Sequence, residues 1–315
     1  MKNNTQLLVK AAQLYYDEDV NQNDLADILG ISRPTVSRLL KRAKAEGIVE
    51  IIVHDPIVKN HEISSLLREK LGLRDVVVIE GAYEYVKSLE RCCEAAVQYL
   101  DAVMFDGCTI GITWGLVPQT ICDIIPPLDH KDVTIVQMVG CLGTNLPGVD
   151  GSRLAIQLSQ KLGGKYYNIY SPVFVHNKEV RDYLCNEPAI KETLEISAHT
   201  DILINGIGSF DTYSTIFKAG YWNETDIERI LSSNAVGHLL GKPFDKDGKP
   251  VEMDGTYIVG APLEYLHEAQ WSIGVSASSM KSRAVMGAIK GGYINVLIAD
   301  QSLANALLKL VNEEE

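Results

Sequence analysis

The sequence predicts two parts. Residues 1–55 read as a short all-α unit, a helix-turn-helix with a wing, and residues 56–315 as a larger α/β unit of the Rossmann-like kind. Three observations lead there. Helix-period apolar spacing with cap residues fills the first 45 positions; after Pro56, β-branched runs alternate with amphipathic stretches; and several of those runs end in segments rich in glycine or small residues.

The chain has 315 residues, 46% apolar and 22% charged, which suits two globular domains with sizeable cores and argues against extended disorder. No apolar run approaches the roughly 18 residues a bilayer crossing needs. The start, MKNNTQLLVKAAQLYYDED, interrupts its apolar residues with Lys10, Gln13 and Asp17, unlike the core of a signal peptide. A cytoplasmic protein with no membrane partner is expected. The cysteines (Cys92, Cys93, Cys108, Cys122, Cys141, Cys185) are scattered without C-x-x-C spacing, which predicts reduced, mostly buried thiols and neither a structural metal nor a disulfide framework.

The formal net charge is -12, yet residues 1–55 hold seven Lys or Arg against eight Asp or Glu. Within that near-neutral segment the positive charge is segregated: from Ser32 to Ala45 there are five Lys or Arg and no acid. A charge run is usually a solvated face, so geometry must decide.

Leu7, Leu8, Ala11, Ala12, Leu14 and Tyr15 make one stripe on a helix over 3–16, which Asp17, Glu18 and Asp19 end. Asn21 can cap a second helix running to about Leu29, with Val20 and Leu25 placed to form a hydrophobic staple. Gly30 can take the positive φ of a sharp turn, Ser32 can cap a third helix, and that helix's first turn tolerates Pro34. In it Val36, Leu39, Leu40 and Ala43 recur at i, i+3, i+4 and i+7 and share a buried face. Pro34, Ser37, Arg38 and Lys41 fall opposite, flanked by Arg33, Arg42 and Lys44.

A merely solvated face would mix both signs. This one is cationic and follows a four-residue turn between two helices, the arrangement in which the second helix enters the DNA major groove. Arg33, Pro34 and Arg38 are expected at base edges, arginine because its fork matches guanine O6 and N7. Ser32, Thr35, Lys41 and Arg42 suit phosphates, with Ser37 on the same side. Gly47 stops the helix, and IVEIIVHDP (48–56) is expected as a wing or linker strand.

Beyond Pro56 an amphipathic helix carries Ile63, Leu66, Leu67 and Leu71 on one face. Strands are predicted at VVVIEG (76–81), TIGITWG (109–115), VTIVQMVG (133–140), ILINGIG (202–208), SIGVSAS (272–278) and NVLIA (295–299), with helices at 88–104, 152–162 and 282–292 between them. Continuous β-branched strands separated by amphipathic helices indicate a mostly parallel sheet covered on both faces. Such sheets bind ligands outside the strands' carboxyl ends. TWGLVP, VGCLGTN, NGIGSF and SASSMKSR all follow strands, and each can bring backbone N–H groups to an anion or hydroxyl. Lys281 opens a helix just after a strand, where a long cation can reach a phosphate.

Signals for an enzyme are weak. Gly206-Ile207-Gly208 has Asp211 where a dinucleotide fingerprint needs its third glycine. Gly111-Ile112-Thr113-Trp114-Gly115 imitates a nucleophile elbow with threonine for serine, and no partner base is marked. The histidines are isolated, without ligand spacing. No catalytic residue, metal or cofactor is expected.

AAQLYYDEDVNQNDLADILGISRPTVSRLLKRAKAEGIV, GITWG, VQMVG, the stretch from GYWNE to AVGHLLGKPFDKDG, and GAIKGGYINVLIADQSLANALL resemble, in that order, the SorC family of bacterial sugar-responsive transcriptional regulators. The resemblance implies a C-terminal domain folded like sugar-phosphate isomerases and deaminases but used for sensing. It also implies a homo-oligomer, a dimer or tetramer, on double-stranded operator DNA. The implied function is repression of a carbohydrate operon, released by a sugar or sugar phosphate; the alternative is an isomerase- or deaminase-like enzyme with a DNA-binding appendage. Carried over residue by residue, the effector pocket would use Gly115, Leu116, Val139, Gly140, Cys141, His238 and Lys281, with Gly208 from NGIGSF. Three positions depart from the family's commoner pattern. His238 stands where aspartate is usual, SASS replaces a glycine pair before Lys281, and Val139 replaces a lysine that forms a Schiff base in one relative, so covalent capture there is excluded.

Overall fold

The computed structural model describes residues 2–49, 57–128, 130, 132–143, 147–210, 214–253 and 255–314. The chain divides into two compact units, Met1–Pro56 and Ile57–Glu315.

The first unit holds α1 (Lys2–Tyr16), α2 (Gln22–Leu29) and α3 (Arg33–Ala45). Leu8, Ala11, Leu25, Val36, Leu40 and Ala43 form its buried core, with Val20 packed against it as a staple residue. Asn21 caps α2 by accepting from the N–H groups of Asn23 and Asp24. Gly30 (φ 63°) ends α2 and Gly47 (φ 71°) follows α3, each in the left-handed conformation that glycine tolerates. Two expectations need correction. The turn has three residues, 30–32, rather than four. Ser32 has the extended backbone of an N-cap, but its hydroxyl makes no capping bond and instead meets the Thr35 hydroxyl at 2.8 Å. The wing or linker strand expected over 48–56 lies outside the described residues from position 50 onward.

The second unit begins with α4 (His61–Leu71), β1 (Asp75–Ile79), α5 (Tyr85–Val103), β2 (Thr109–Ile112), α6 (Leu116–Ile124), β3 (Thr134–Gln137), α7 (Gly151–Leu162) and β4 (Lys165–Tyr167). It continues through β5 (Phe174–Val175), α8 (Lys178–Asn186), α9 (Pro188–Ser197), β6 (Ile202–Gly206), α10 (Thr215–Lys218), α11 (Glu224–Ser232), β7 (Ala235–Leu239) and β8 (Lys242–Asp245). It closes with β9 (Tyr257–Ile258), α12 (Tyr265–Glu268), β10 (Trp271–Ser276), α13 (Ser282–Lys290), β11 (Val296–Asp300) and α14 (Gln301–Glu314).

Seven of these strands form one sheet in the order β1-β11-β10-β6-β2-β3-β4, every pair parallel. Successive residues point to opposite faces, so each strand feeds two cores. Ile202 and Ile204 of β6 join one cluster with α5, α6 and α7, whereas Leu203 joins the other with α13 and α14. The predicted strands all occur. The edge strand β4, reading KYY, and the antiparallel pairs β5–β9 and β7–β8 were not expected. In α4, Leu67 is buried while Leu66 is 41% exposed, because residues 63, 67 and 71 line up four apart and position 66 rotates to the flank.

From β2 the chain steps outward to β3 and β4, returns to β6 on the other side of β2, and then steps outward through β10 and β11. The winding reverses between β2 and β6, and there the connections leaving their carboxyl ends part, as at ligand crevices of doubly wound sheets.

Candidate functional site

On α3, Arg33, Pro34, Arg38 and Lys41 are exposed, Thr35 and Ser37 are half-buried, and Val36, Leu39, Leu40 and Ala43 are turned inward. Arg38 Nε donates to the Pro34 carbonyl at 3.3 Å, which lays its guanidinium back along the first turn. The face is less uniform than expected, because Arg42 pairs with Glu46 at 2.7 Å one turn on, and Lys44 lies 5.6 Å from the centre of the Tyr16 ring. Among the described residues no carboxylate pairs with Arg33, Arg38 or Lys41. These three are the cations open to a duplex, with the hydroxyls of Ser32, Thr35 and Ser37 beside them.

In the second unit the four small-residue segments leave adjacent strands at one sheet edge, as the parallel order requires. Their amides, however, are mostly engaged within the protein. The Gly115 N–H donates to Val149 O, Gly140 N–H to Val259 O, Cys141 N–H to Ser171 O and Gly208 N–H to His238 O, at 2.7 to 3.0 Å. Leu142 and Gly143 both donate to Asp150 Oδ2, at 2.8 and 3.2 Å, and Ser278 N–H donates to Asp300 Oδ1 at 3.1 Å. The main-chain N–H groups of Gly140, Cys141 and Gly208 are thus engaged within the protein, so these residues line the turns without offering those donors. The end of VGCLGTN, Thr144 and Asn145, lies outside the described residues.

Val139 is packed into the core. Its side chain is fully buried against Gly260, where a Cβ would come 2.7 Å from Val139 Cγ1. Cys141 is half-buried, its Sγ directed at Ile169 O, and burial pushes its thiol pKa up. Leu116, at the start of α6, is 42% exposed. Lys281 ends a 3-10 turn (Ser279–Lys281) ahead of α13 and donates to Ile207 O at 3.4 Å, so it reaches across from β10 to the segment after β6. Ser278 holds φ 78°, a conformation favouring glycine, at the place where SASS replaces the glycine pair.

Gly208 and His238 form a two-residue antiparallel bridge. His238, in β7, is 6% exposed and surrounded by aromatic rings. Trp222 meets it edge-on with centroids 5.2 Å apart, Phe210 lies at 5.6 Å and Trp114 at 6.3 Å. Among the described residues, the indole N–H groups of Trp114 and Trp222 are buried without a hydrogen-bond partner. The arrangement offers aromatic faces, two unengaged neutral donors, an imidazole and a nearby ammonium. It suits recognition of a polar, ring-shaped molecule.

No group of three or more His, Cys, Asp or Glu among the described residues could hold a metal. Burial pushes the thiols of Cys93 and Cys122 up to about 12, so they are inert packing groups. No described helix is long and apolar enough to cross a membrane.

Comparison with known proteins matches both units. A family profile described as "Putative sugar-binding domain" matches residues 55–309, and one described as "Crp-like helix-turn-helix domain" matches residues 7–62. The deoxyribonucleoside regulator of Bacillus subtilis is 32% identical over 310 residues, covering 96% of this chain and 97% of that protein. The chain belongs to the SorC family. Another member, the sorbitol operon regulator of Klebsiella pneumoniae, is 26% identical over 96% of the chain and 98% of its own length. The crystal structure of full-length SorC from that organism superposes with a TM-score of 0.72 at 25% identity, covering 96% of this chain and 98% of that one. Like these SorC-family relatives, the chain is a transcriptional regulator joining a helix-turn-helix to a sugar-binding domain, and not an enzyme.

Sequence reasoning missed Trp114, Trp222, Phe210 and Asp150. The tryptophans lie within GITWG and GYWNE, and an aromatic residue in a connection after a strand is a usable signal for sugar recognition. Asp150 stands just before the helix at 152–162 and is legible as a cap, since its Oδ1 accepts from the Ser152 N–H at 3.0 Å.

Proposed function

We propose that this regulator is a cytoplasmic repressor of a carbohydrate operon, acting as a homo-oligomer on double-stranded operator DNA and released when a sugar or sugar phosphate occupies the second unit. Residues 1–55 carry the DNA contacts and residues 56–315 the effector site and the subunit contacts. The carrying observation is the unpaired cationic face of α3, Arg33, Arg38 and Lys41, set opposite a buried aliphatic stripe.

Arg33, Pro34 and Arg38 read base edges, while Ser32, Thr35, Ser37, Lys41 and Arg42 fix register on phosphates. One helix-turn-helix head covers half a site, so two copies are needed to read a palindrome. In the effector site, Gly115 and Leu116 open α6, Gly208 makes room for His238, and Lys281 bridges the β6 and β10 connections. Val139, Gly140 and Cys141 hold the neighbouring wall through their packing. Release requires the effector to bind the low-affinity arrangement of the protein more tightly than the high-affinity one, because equal binding shifts nothing.

The test is fluorescence anisotropy of the full-length protein on a duplex selected by its own binding, titrated with sugars and sugar phosphates. At least one compound is expected to weaken the complex at saturating dose. A panel in which none changes affinity contradicts effector control.

A further inference from the structure

We infer that the pyrrolidine ring of Pro34 reads a thymine methyl group in the major groove, and that it sets this thymine one or two base steps from the guanine taken by Arg38. The inference deepens the reading of α3 as the base-contacting helix and rests on it.

The leading turn of α3 has few donors to offer a duplex. Pro34, its second residue, brings no N–H. The next two amides, of Thr35 and Val36, both donate to Ser32 O, at 2.8 and 3.1 Å. The hydroxyls of Ser32 and Thr35 bond each other at 2.8 Å, which uses one of their two protons and leaves the other for a phosphate. Between the exposed side chains of Arg33 and Arg38 the turn therefore shows the carbon surface of the Pro34 ring, itself exposed and opposite the buried Val36, Leu39 and Leu40. A proline suits the first turn of any helix. An apolar ring at the tip that enters a groove also gains by covering apolar surface. Among the base edges of the major groove, the group of that kind is the C5 methyl of thymine.

Arg38 fixes the spacing. Its Nε donates to Pro34 O at 3.3 Å, which folds the guanidinium back beside the ring and leaves the Nη1 and Nη2 pair for guanine O6 and N7. Four residues advance a helix by about 6 Å, roughly two base steps of about 3.4 Å, and the fold-back shortens that reach. The ring and the guanidinium thus meet bases one or two steps apart.

The experiment is fluorescence anisotropy of the full-length protein on the duplex it selects from a randomised pool, with each thymine replaced in turn by deoxyuridine. That exchange removes the methyl and keeps every hydrogen-bonding edge. At one position of the half-site affinity should fall about three- to tenfold, the scale of one buried methyl, and 5-methylcytosine there should bind more tightly than cytosine. Pro34→Ala should bind the thymine and deoxyuridine duplexes alike while keeping its preference for the guanine that Arg38→Ala ceases to distinguish. Circular dichroism checks that both variants keep their helices. A scan in which no deoxyuridine weakens binding, a penalty that persists unchanged in Pro34→Ala, or a half-site with no thymine within two steps of the guanine overturns the inference. Base reading by α3 survives those outcomes if Arg38→Ala still relaxes the guanine preference. A protein that selects no sequence overturns both.

Discussion

Gly208 and His238 exchange both main-chain hydrogen bonds, at 3.0 and 3.1 Å, and the imidazole fills the space where a Cβ on Gly208 would stand, 2.0 Å from Cε1 and Nε2. The glycine is required by that ring and not by an anion. Trp222 and Phe210 pack beside the imidazole, so a methyl at Gly208 would force this packed ring to shift. Gly208→Ala is expected to destabilise the protein by roughly 1–3 kcal/mol, the usual cost of overpacking. It should also blunt the effector response. Urea unfolding checks the first part, and an unchanged midpoint would show that the ring is not confined.

Arg38 extends from the face of α3 opposite Val36 and Leu40, anchored to Pro34 O. Arg38→Ala should cost roughly 1–3 kcal/mol of binding to the preferred duplex and relax preference at one base position. Anisotropy on single-base variants of the site measures it. Uniform weakening on every duplex would assign Arg38 to phosphate contact.

Asp150 accepts from the amides of Leu142, Gly143 and Ser152 and from the Ser152 hydroxyl, so one carboxylate caps α7 and closes the turn after β3. Asp150→Ala leaves buried donors unmatched, with an expected loss of roughly 2–4 kcal/mol. Asp150→Asn, which retains an acceptor oxygen, should recover part of it. Equal losses in the two variants would speak against the hydrogen-bond account.

Lys242, at the start of β8, donates through Nζ to Ala261 O, and burial lowers its pKa to about 8, opposed by the nearby Glu264 carboxylate. The folded value lies below the unfolded value of 10.5, so between about pH 8 and 10.5 the unfolded chain binds the extra proton. Stability from this group therefore rises with pH across that window and is lowest below it. Relative to Lys242→Met, the native protein should gain roughly 2–3 kcal/mol between pH 7 and pH 10. Parallel pH profiles for the two proteins would contradict the burial of the ammonium.

Strands β1, β6 and β11 were legible because Val76–Ile79, Ile202–Ile204 and Val296–Ile298 are continuous β-branched or aliphatic runs, nearly all buried although β1 lies at a sheet edge. The edge strand β4 was not, since Lys165, Tyr166 and Tyr167 are polar or aromatic and partly exposed, as edges tend to be. The caps and stripe of α2 and α3 were readable locally. The pairing of Arg42 with Glu46 follows the i, i+4 rule and could have been read as well. The state of the ligand-side amides could not. Gly140 is answered by Val259 and Ser278 by Asp300, partners that only the tertiary fold brings near. The glycine-rich turns do lie together at one sheet edge, but several of their amides are bonded within the protein.

The measurement that bears most directly on the whole account is selection of duplexes from a randomised pool by the full-length protein, followed by binding to the selected and to a scrambled duplex at physiological ionic strength. A regulator that reads bases through α3 should converge on one sequence and bind it about a thousandfold or more tightly than the scrambled one. A pool that fails to converge, or equal affinity for both duplexes, would contradict it.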